Sequence, residues 1–552
     1  MVAVAGIGII SAIGIGQEET VKSLREQRSG IGKMRYLDSK HTELPVGEVK
    51  KSDDELKEIL GVPHSDEVSR TALLGAIALK QAIEDAKMSP PFFFAEQSGR
   101  AEREGAEEGP RVALISGTTV GALDGDCGSN TEEIARLAGL KDIELCTIST
   151  ACSSAPNAII VGCEMIKNDE ADIVIAGGTE ALSRFHLNGF NSLMILDHEP
   201  CRPFDASRAG LNLGEGAAYV VIVSSHLSPL TSNLYIVGYG NRCDAFHQTA
   251  TSENGEGAYL AMTEALRSAG LSPKDIDYVN AHGTGTPDND LSESIALKRV
   301  FGDHMPPVSS TKGYTGHTTS ASGSIEAVIS ILAIQHDFIP TNLGWHQQME
   351  NGITPVHVPV NVPVNTVLCN SFGFGGNDSS VILGVRGTMH CITEATIDNE
   401  EQLKDTKEFI PPMAARRMGK LMKAAMVATL KALKEAGIET PDAIITATAY
   451  GMWEMSMTFT EDMNANDEES LSPTLFMQST HNTIGSAIAI RTKCHGYNVT
   501  YSQGRDSIKW AMRDAERLLH SGQAQNVLVV ECDEKDGLFV RSKVVEVRGK
   551  RL

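Results

Sequence analysis

Positive charge is scarce in this chain. Its 48 lysines and arginines face 71 aspartates and glutamates, a formal net charge of −23. That balance excludes nucleic acid as a general partner, because a phosphate backbone needs a basic face. An acidic protein partner would likewise need a local basic patch. Paired cysteines are also missing. The ten cysteines are scattered from Cys127 to Cys532 with no CxxC, which excludes a zinc ribbon and a secreted disulfide scaffold and points to a reducing cytoplasm. The opening MVAVAGIGIISAIGIG has no Lys or Arg before Lys22, so it lacks the charged start of a signal peptide and reads as a buried strand running into a glycine-rich turn. Its Gly6-x-Gly8 continues to Ser11 where a dinucleotide fingerprint wants glycine. No apolar run approaches the roughly 18 residues of a membrane span.

What is present is a long globular chain. At 552 residues with 41% apolar content, it has room for several domains at roughly 150 residues each. Short apolar strands alternate with amphipathic helices, the pattern of a layered α/β protein. Leu73, Leu74 and Ile77 fall at helical spacing within 69–86, and the pattern predicts a further helix over 256–268. Strands are predicted at 111–116, 171–178, 217–224 and 276–286. VALISGTTVG, IDYVNAHGTGT and the segment 443–451 share a design, an apolar strand ending in small or hydroxyl residues. The echoes suggest one α/β unit used three times, without a solenoid's short period. Residues 89–110 are bounded by prolines and rich in charge, and read as a surface excursion. Composition shifts again over 386–412, where a domain boundary is placed and Met389 could begin an ancestral second polypeptide.

Four segments carry chemistry. In TISTACSSAPNAI (147–159), small residues follow Cys152 just before a helical pattern. A strand-to-helix elbow at a helix amino terminus favours thiolate over thiol. AHGTGTPDNDLSE (281–293) puts His282 at a strand end, with Thr284 and Thr286 offering hydroxyls to an amide-rich substrate arm. In SSTKGYTGHTTSASGSIEA (309–327), Lys312 and His317 flank a turn and Glu326 follows on a helix. NSFGFGGNDSS (370–380) breaks a strand into a turn whose backbone N–H groups are natural oxyanion donors.

These motifs, in this order, resemble the β-ketoacyl-acyl-carrier-protein synthases of the thiolase superfamily. GGTEAL at 177–182, CRPFDASRAGLNLGEGAA at 201–218 and the opening AGIGIISAIG are similar to that family as well. The resemblance covers nearly all of residues 1–386. It implies a thiolase-like duplicated αβαβα five-layer fold, with halves at 1–226 and 227–386 and an additional incomplete thiolase-like unit at 387–552. It further implies that Cys152 carries the acyl group as a thioester. His282 and His317 would hold the malonyl thioester carbonyl during decarboxylation, with Lys312 and Glu326 supporting the pocket. Phe372 would be the gate and, with Cys152, an oxyanion N–H donor. Thr284, Thr286, Gly373 and Phe374 would line the substrate's path. No cofactor is implied beyond the phosphopantetheine of an acyl carrier protein partner, and the protein would form a homodimer or pair with a ketosynthase-like subunit. Two other classes compete: a non-catalytic chain-length-factor-like partner and a thiolase-type acyltransferase. Between Gly121 and Cys127 the chain is shorter than the family's pattern.

Residues 387–552 resemble a degenerate amino-terminal condensing half. Aligning YNVTYSQ to the elbow puts Gln503 where the cysteine would fall, as in chain-length factors of polyketide and polyene synthases. The stretch 413–426 reads as a helix gathering Arg416, Arg417, Lys420 and Lys423, a candidate patch for an acidic carrier.

Overall fold

A computed structural model of the chain describes residues 2–87, 110–121, 129–224, 233–247, 249–385, 388–416, 418–466, 472–520 and 522–548. Nearly all of the excursion at 89–110, the stretch 122–128 and Arg417 lie outside the described residues. The chain divides into two compact units, Met1–Val385 and Arg386–Leu552.

In the first unit two five-stranded arrays repeat one topology. The first array holds β1 (Val2–Ser11), β2 (Val112–Gly117), β3 (Glu144–Ile148), β4 (Ile173–Glu180) and β5 (Gly216–Val223). The second holds β6 (Leu234–Cys243), β7 (Tyr278–Asn280), β8 (Val308–Ser309), β9 (Thr366–Gly373) and β10 (Asn377–Val385). Their orders are β1-β5-β4-β2-β3 and β6-β10-β9-β7-β8, joined at one edge where β1 meets β6. In each array the first two pairings are antiparallel and the last two parallel.

Alternation along the strands explains the layers. Ala217, Tyr219, Val221 and Val223 of β5 face an outer core with helix α1 (Arg70–Asp85). Ala218, Val220 and Ile222 face an inner core with α2 (Ser154–Lys167) and α5 (Ser322–His336). That inner core also takes Ile236, Val367, Val381 and Leu383 from the second array, so α2 and α5 form a layer shared by both sheets. Helices α3 (Glu256–Ala269) and α4 (Pro287–Phe301) pack together beyond the second array. The result is the five-layer arrangement, and it sends the carboxyl ends of β3, β7 and β9 toward one place.

The second unit repeats the topology a third time. β11 (Thr388–Ile397), β12 (Ala443–Ala447), β13 (Tyr497–Tyr501), β14 (Asn526–Asp533) and β15 (Phe539–Arg548) lie in the order β11-β15-β14-β12-β13. Ile444, Leu528 and Val530 pack under α6 (Lys420–Ala436), and Ala443, Val527 and Val529 under α7 (Ser507–His520). One expectation is refined here and one corrected. The domain boundary expected within 386–412 falls at the start of that stretch, between Val385 and Arg386, but the stretch itself is folded, because Thr388–Ile397 pairs along its length with β15. The basic stretch is not one helix: Pro412–Ala415 closes before Gly419 caps α6, and Lys420 pairs with Glu400 at 2.8 Å. Arg416 and Lys420 therefore do not share a helix face.

Candidate active site

Cys152 sits on a sharp elbow between β3 and α2. Ala151 holds a left-handed backbone, φ +53°, which a residue with a Cβ adopts only at a cost and which strain-bearing sites keep when the surroundings over-determine it. Ser154 over-determines it here: its Oγ accepts from Thr150 N–H at 2.9 Å and donates to the carbonyls of Thr118 and Ala151. The expected thiolate does not follow from this geometry. Burial dominates and pushes the Cys152 thiol up to about 11, against the lowering pull of Lys312's charge and of the Phe374 N–H.

His317 Nε2 stands 3.1 Å from Cys152 Sγ, and its Nδ1 lies 2.8 Å from Ser322 Oγ. His282 meets His317 edge to face with ring centroids 5.4 Å apart. Both rings are 2% exposed. Burial first, and then Lys312's charge, depress both imidazoles well below their usual range, so they are neutral at pH 7. Lys312 Nζ lies 3.3 Å from His282 Nδ1, donates to the His282 carbonyl at 2.6 Å and pairs with Glu326. An ammonium can only donate, so His282 Nδ1 is the acceptor and its proton sits on Nε2. Burial raises Glu326 to about 7 despite its lysine partner, and its Oε2 has no hydrogen bond.

The glycine turn closes the site. A Cβ on Gly373 would lie 2.6 Å from the Thr150 carbonyl, so only glycine lets the turn press on the elbow. Here Phe372 is corrected. It lies in β9, buried, with its ring 5.6 Å from His282. The backbone N–H that reaches Cys152 belongs to Phe374, whose ring stacks on Phe190 at 5.6 Å. The turn N–H beside Cys152 is therefore that of Phe374, not of Phe372. A cavity of about 270 Å³ is lined by Cys152, His282, His317, Thr284, Thr286 and Phe374.

Several supports escaped the sequence reading. Glu293 accepts from the N–H groups of His282 and Gly283 and from Asn370, and so holds the HGTGT loop. Asn377 Oδ1 accepts from Ser153, Asn157 and Asn241, which ties the elbow to the glycine turn. Glu180 accepts from Thr119 N–H and Ser320. Glu293 and Asn377 stand inside the quoted motifs, where a polar residue that follows a glycine run was the available signal. Among the described residues no cluster of His, Cys, Asp or Glu is placed to hold a metal, and no helix is long and apolar enough to cross a membrane.

The elbow has a counterpart in the second unit, but not at Gln503. Gly117 pairs with Ile148, and at the same step of the third repeat Ala447 pairs with Tyr501. Gln503 N–H then donates to Ser507 Oγ and Ser507 Oγ to the Thr448 carbonyl, as Thr150, Ser154 and Thr118 do in the first repeat. Gly504, φ +55°, matches Ala151. Arg505 therefore stands where Cys152 does, and Gln503 matches Thr150. The register expected from YNVTYSQ is two residues off because residue types alone do not align this turn; its hydrogen bonds do.

Comparison with known sequences adds to this geometry. The sequence model of the β-ketoacyl synthase N-terminal domain matches residues 143–226, that of the C-terminal domain 234–346, and a second N-terminal model 392–537. A 3-oxoacyl-[acyl-carrier-protein] synthase 2 of Vibrio cholerae is 31% identical over 414 residues, 69% of this chain and 98% of that protein. The chain belongs to the β-ketoacyl synthase family. A 3-oxoacyl-[acyl-carrier-protein] synthase 2 of Synechocystis is 33% identical, covering 68% of this chain and 96% of the relative. A mitochondrial 3-oxoacyl-[acyl-carrier-protein] synthase of Arabidopsis thaliana is 39% identical, but over 42% of this chain and 54% of the relative. Against that one the β-ketoacyl synthase described here spans about half of the relative's length. Among solved structures, the ishigamide ketosynthase/chain length factor superposes with a TM-score of 0.62 at 28% identity, covering 70% of this chain and 99% of that one. A ketosynthase in complex with its chain length factor from Xenorhabdus doucetiae gives 0.57 at 30% identity, over 70% and 98%.

Proposed function

We propose that the first unit is a β-ketoacyl-acyl-carrier-protein synthase that loads an acyl group on Cys152 and extends it with malonyl carrier protein. The observation that carries this reading is the buried grouping of Cys152 Sγ with His317 Nε2 at 3.1 Å and His282 beside it. In the loading step Cys152 Sγ attacks the carrier thioester. The new carbon–sulfur bond forms, the carrier's carbon–sulfur bond breaks, and the released thiol takes the proton. The N–H groups of Cys152 and Phe374 face the developing oxyanion.

Malonyl thioester follows into the same cavity. Its carbon–carboxylate bond breaks, carbon dioxide leaves, and the electron pair moves onto the thioester oxygen as an enolate. Two neutral imidazoles can hold that oxygen through N–H bonds. Lys312 fixes His282's proton on Nε2, and His317 presents an Nε2–H in the tautomer in which its Nδ1 accepts from the Ser322 hydroxyl. The enolate carbon then attacks the acyl-Cys152 carbonyl, a carbon–carbon bond forms, the acyl carbon–sulfur bond breaks, and Cys152 leaves as a thiolate that takes a proton from water. A charge that develops only in the transition state is best met by such preorganised donors, each worth roughly 10²–10³ in rate. The reaction as written uses no metal or redox cofactor, and its substrates ride on phosphopantetheine.

The second unit repeats the amino-terminal topology with Arg505 at the nucleophile position, and we propose that it does not condense. The names of the solved relatives favour a ketosynthase that works beside a chain length factor, and those of the curated relatives favour an acyl carrier protein as the other partner. The test is carbon dioxide release from malonyl carrier protein. Cys152→Gln should decarboxylate, and His282→Ala and His317→Ala should not. Full release from both histidine variants would remove this mechanism.

A further inference from the structure

One buried carboxyl in the first unit has no place in the proposed chemistry. Asp378 opens β10 just after the glycine turn, and it lines both the main cavity and a small recess behind Phe372. It is 5% exposed, and among the described residues no hydrogen bond or ion pair reaches its side chain. Asp244, in the loop after β6, is its close neighbour and is fully engaged. Its Oδ1 accepts from Gly257 N–H at 2.9 Å and Ser252 Oγ at 2.6 Å, and its Oδ2 from Ser252 N–H at 2.7 Å. The same residue's backbone N–H donates to the Gly376 carbonyl at 2.8 Å, so Asp244 staples the glycine turn to the first turn of α3. The two acids crowd one spot. A Cβ on Gly257 would lie 2.2 Å from Asp378 Oδ2 and 2.7 Å from Asp244 Cβ.

The other charged groups around Asp378 do not relieve it. Glu293 of α4 borders the recess and its carboxyl holds the HGTGT loop. Arg242, beside Asp378 in register on β6, turns its guanidinium to Glu264 on α3 at 2.8 Å. Burial, then the charges of Asp244 and Glu293, push Asp378 up to about 8.

We propose that Asp378 is a positioning residue for the glycine turn: neutral, it lets Asp244 hold Gly376 and hence Phe374 over Cys152, and ionised, it opposes Asp244 across Gly257 and releases the turn. The consequence for activity rests on the reading of Cys152 as the acyl carrier. Because the folded carboxyl keeps its proton up to about pH 8, the turn is held below that pH and released above it.

Two rates on the full chain test this between pH 6.5 and 9.5, for wild type, Asp378→Asn and Asp244→Asn. The first is alkylation of Cys152 by iodoacetamide, read by peptide mass. Thiolate formation is common to all three proteins, so the wild-type rate divided by a variant's, set to one at pH 6.5, isolates the turn. The ratio should rise at least threefold through pH 8. A flat ratio overturns the proposal. So does a falling one, since a new negative charge acting only through space would slow alkylation. The second rate is acyl loading from an acyl carrier thioester, each protein normalised to its own value at pH 7. Wild type should fall above pH 8 while both variants hold. A rising alkylation ratio with no loading by any protein would leave the proposal standing and remove the acyl reading. Normal loading with a flat ratio would do the reverse. Two variants that act on opposite sides of Gly257 keep the test open if one fails to fold.

Discussion

Removing the Lys312 ammonium separates what the Lys312–Glu326 pair does for folding from what it does for chemistry. Lys312→Met fills similar space, and the two side chains are 1% and 3% exposed. Breaking a buried pair from one side leaves the other charge uncompensated, at about 3–5 kcal/mol. Glu326 is already raised to about 7 by burial, so it can take up a proton and soften the loss toward the lower end, about 3 kcal/mol. The same change removes the donor that sets His282's tautomer, and a misdirected N–H should cost roughly 10²–10³ in decarboxylation. The double variant Lys312→Met/Glu326→Leu removes both charges and should recover most of the stability while decarboxylation stays low. Urea unfolding and carbon dioxide release, measured on the two variants, give both quantities. Wild-type decarboxylation in Lys312→Met would refute the reasoning, as would recovery of activity along with stability in the double variant.

Gly373→Ala places a Cβ 2.6 Å from the Thr150 carbonyl and should slow acyl loading at least tenfold, with about 1–3 kcal/mol lost in unfolding experiments. Glu293 is raised to about 7 by burial, against an unfolded value near 4.3, so the folded chain binds the extra proton between those values and this residue's contribution to stability falls as pH rises from about 4 to 7. Thermal midpoints of Glu293→Gln should lack that part of the decline, and parallel curves for the two proteins would contradict it. Lys420→Glu breaks an exposed pair with Glu400 and should change stability by less than about 1 kcal/mol. It should also leave KM for an acyl carrier substrate unaltered, now that the basic stretch is not one helix face.

Where the sequence was informative, the reason was local. The Cys152 elbow, the HGTGT loop and the glycine turn each announce themselves by small residues at a strand end, and the thrice-used unit showed as echoes of strand plus Thr-Gly. What one strand cannot reveal is which of two phenylalanines, two apart in the glycine turn, turns its N–H toward the sulfur. That depends on the close approach of Gly373 to Thr150, a contact between residues more than two hundred positions apart. The Asp378–Asp244 apposition is equally non-local. The register of the second unit failed for a different reason. Tyr501-Ser-Gln-Gly-Arg shares almost no residue types with Ile148-Ser-Thr-Ala-Cys, and only the hydrogen bonds of Ser154 and Ser507 align them. Composition marked the domain boundary at Val385/Arg386 but not that the acidic stretch after it begins with a paired strand, Thr388–Ile397, followed by the short helix Glu400–Asp405.

The most direct measurement is intact and peptide mass after incubation with an acyl-carrier-protein thioester at pH 7. The account predicts one acyl group on the chain, confined to the peptide carrying Cys152, sensitive to hydroxylamine and absent from a folded Cys152→Ala variant. An unmodified chain, or an acyl group that persists in Cys152→Ala, would contradict it.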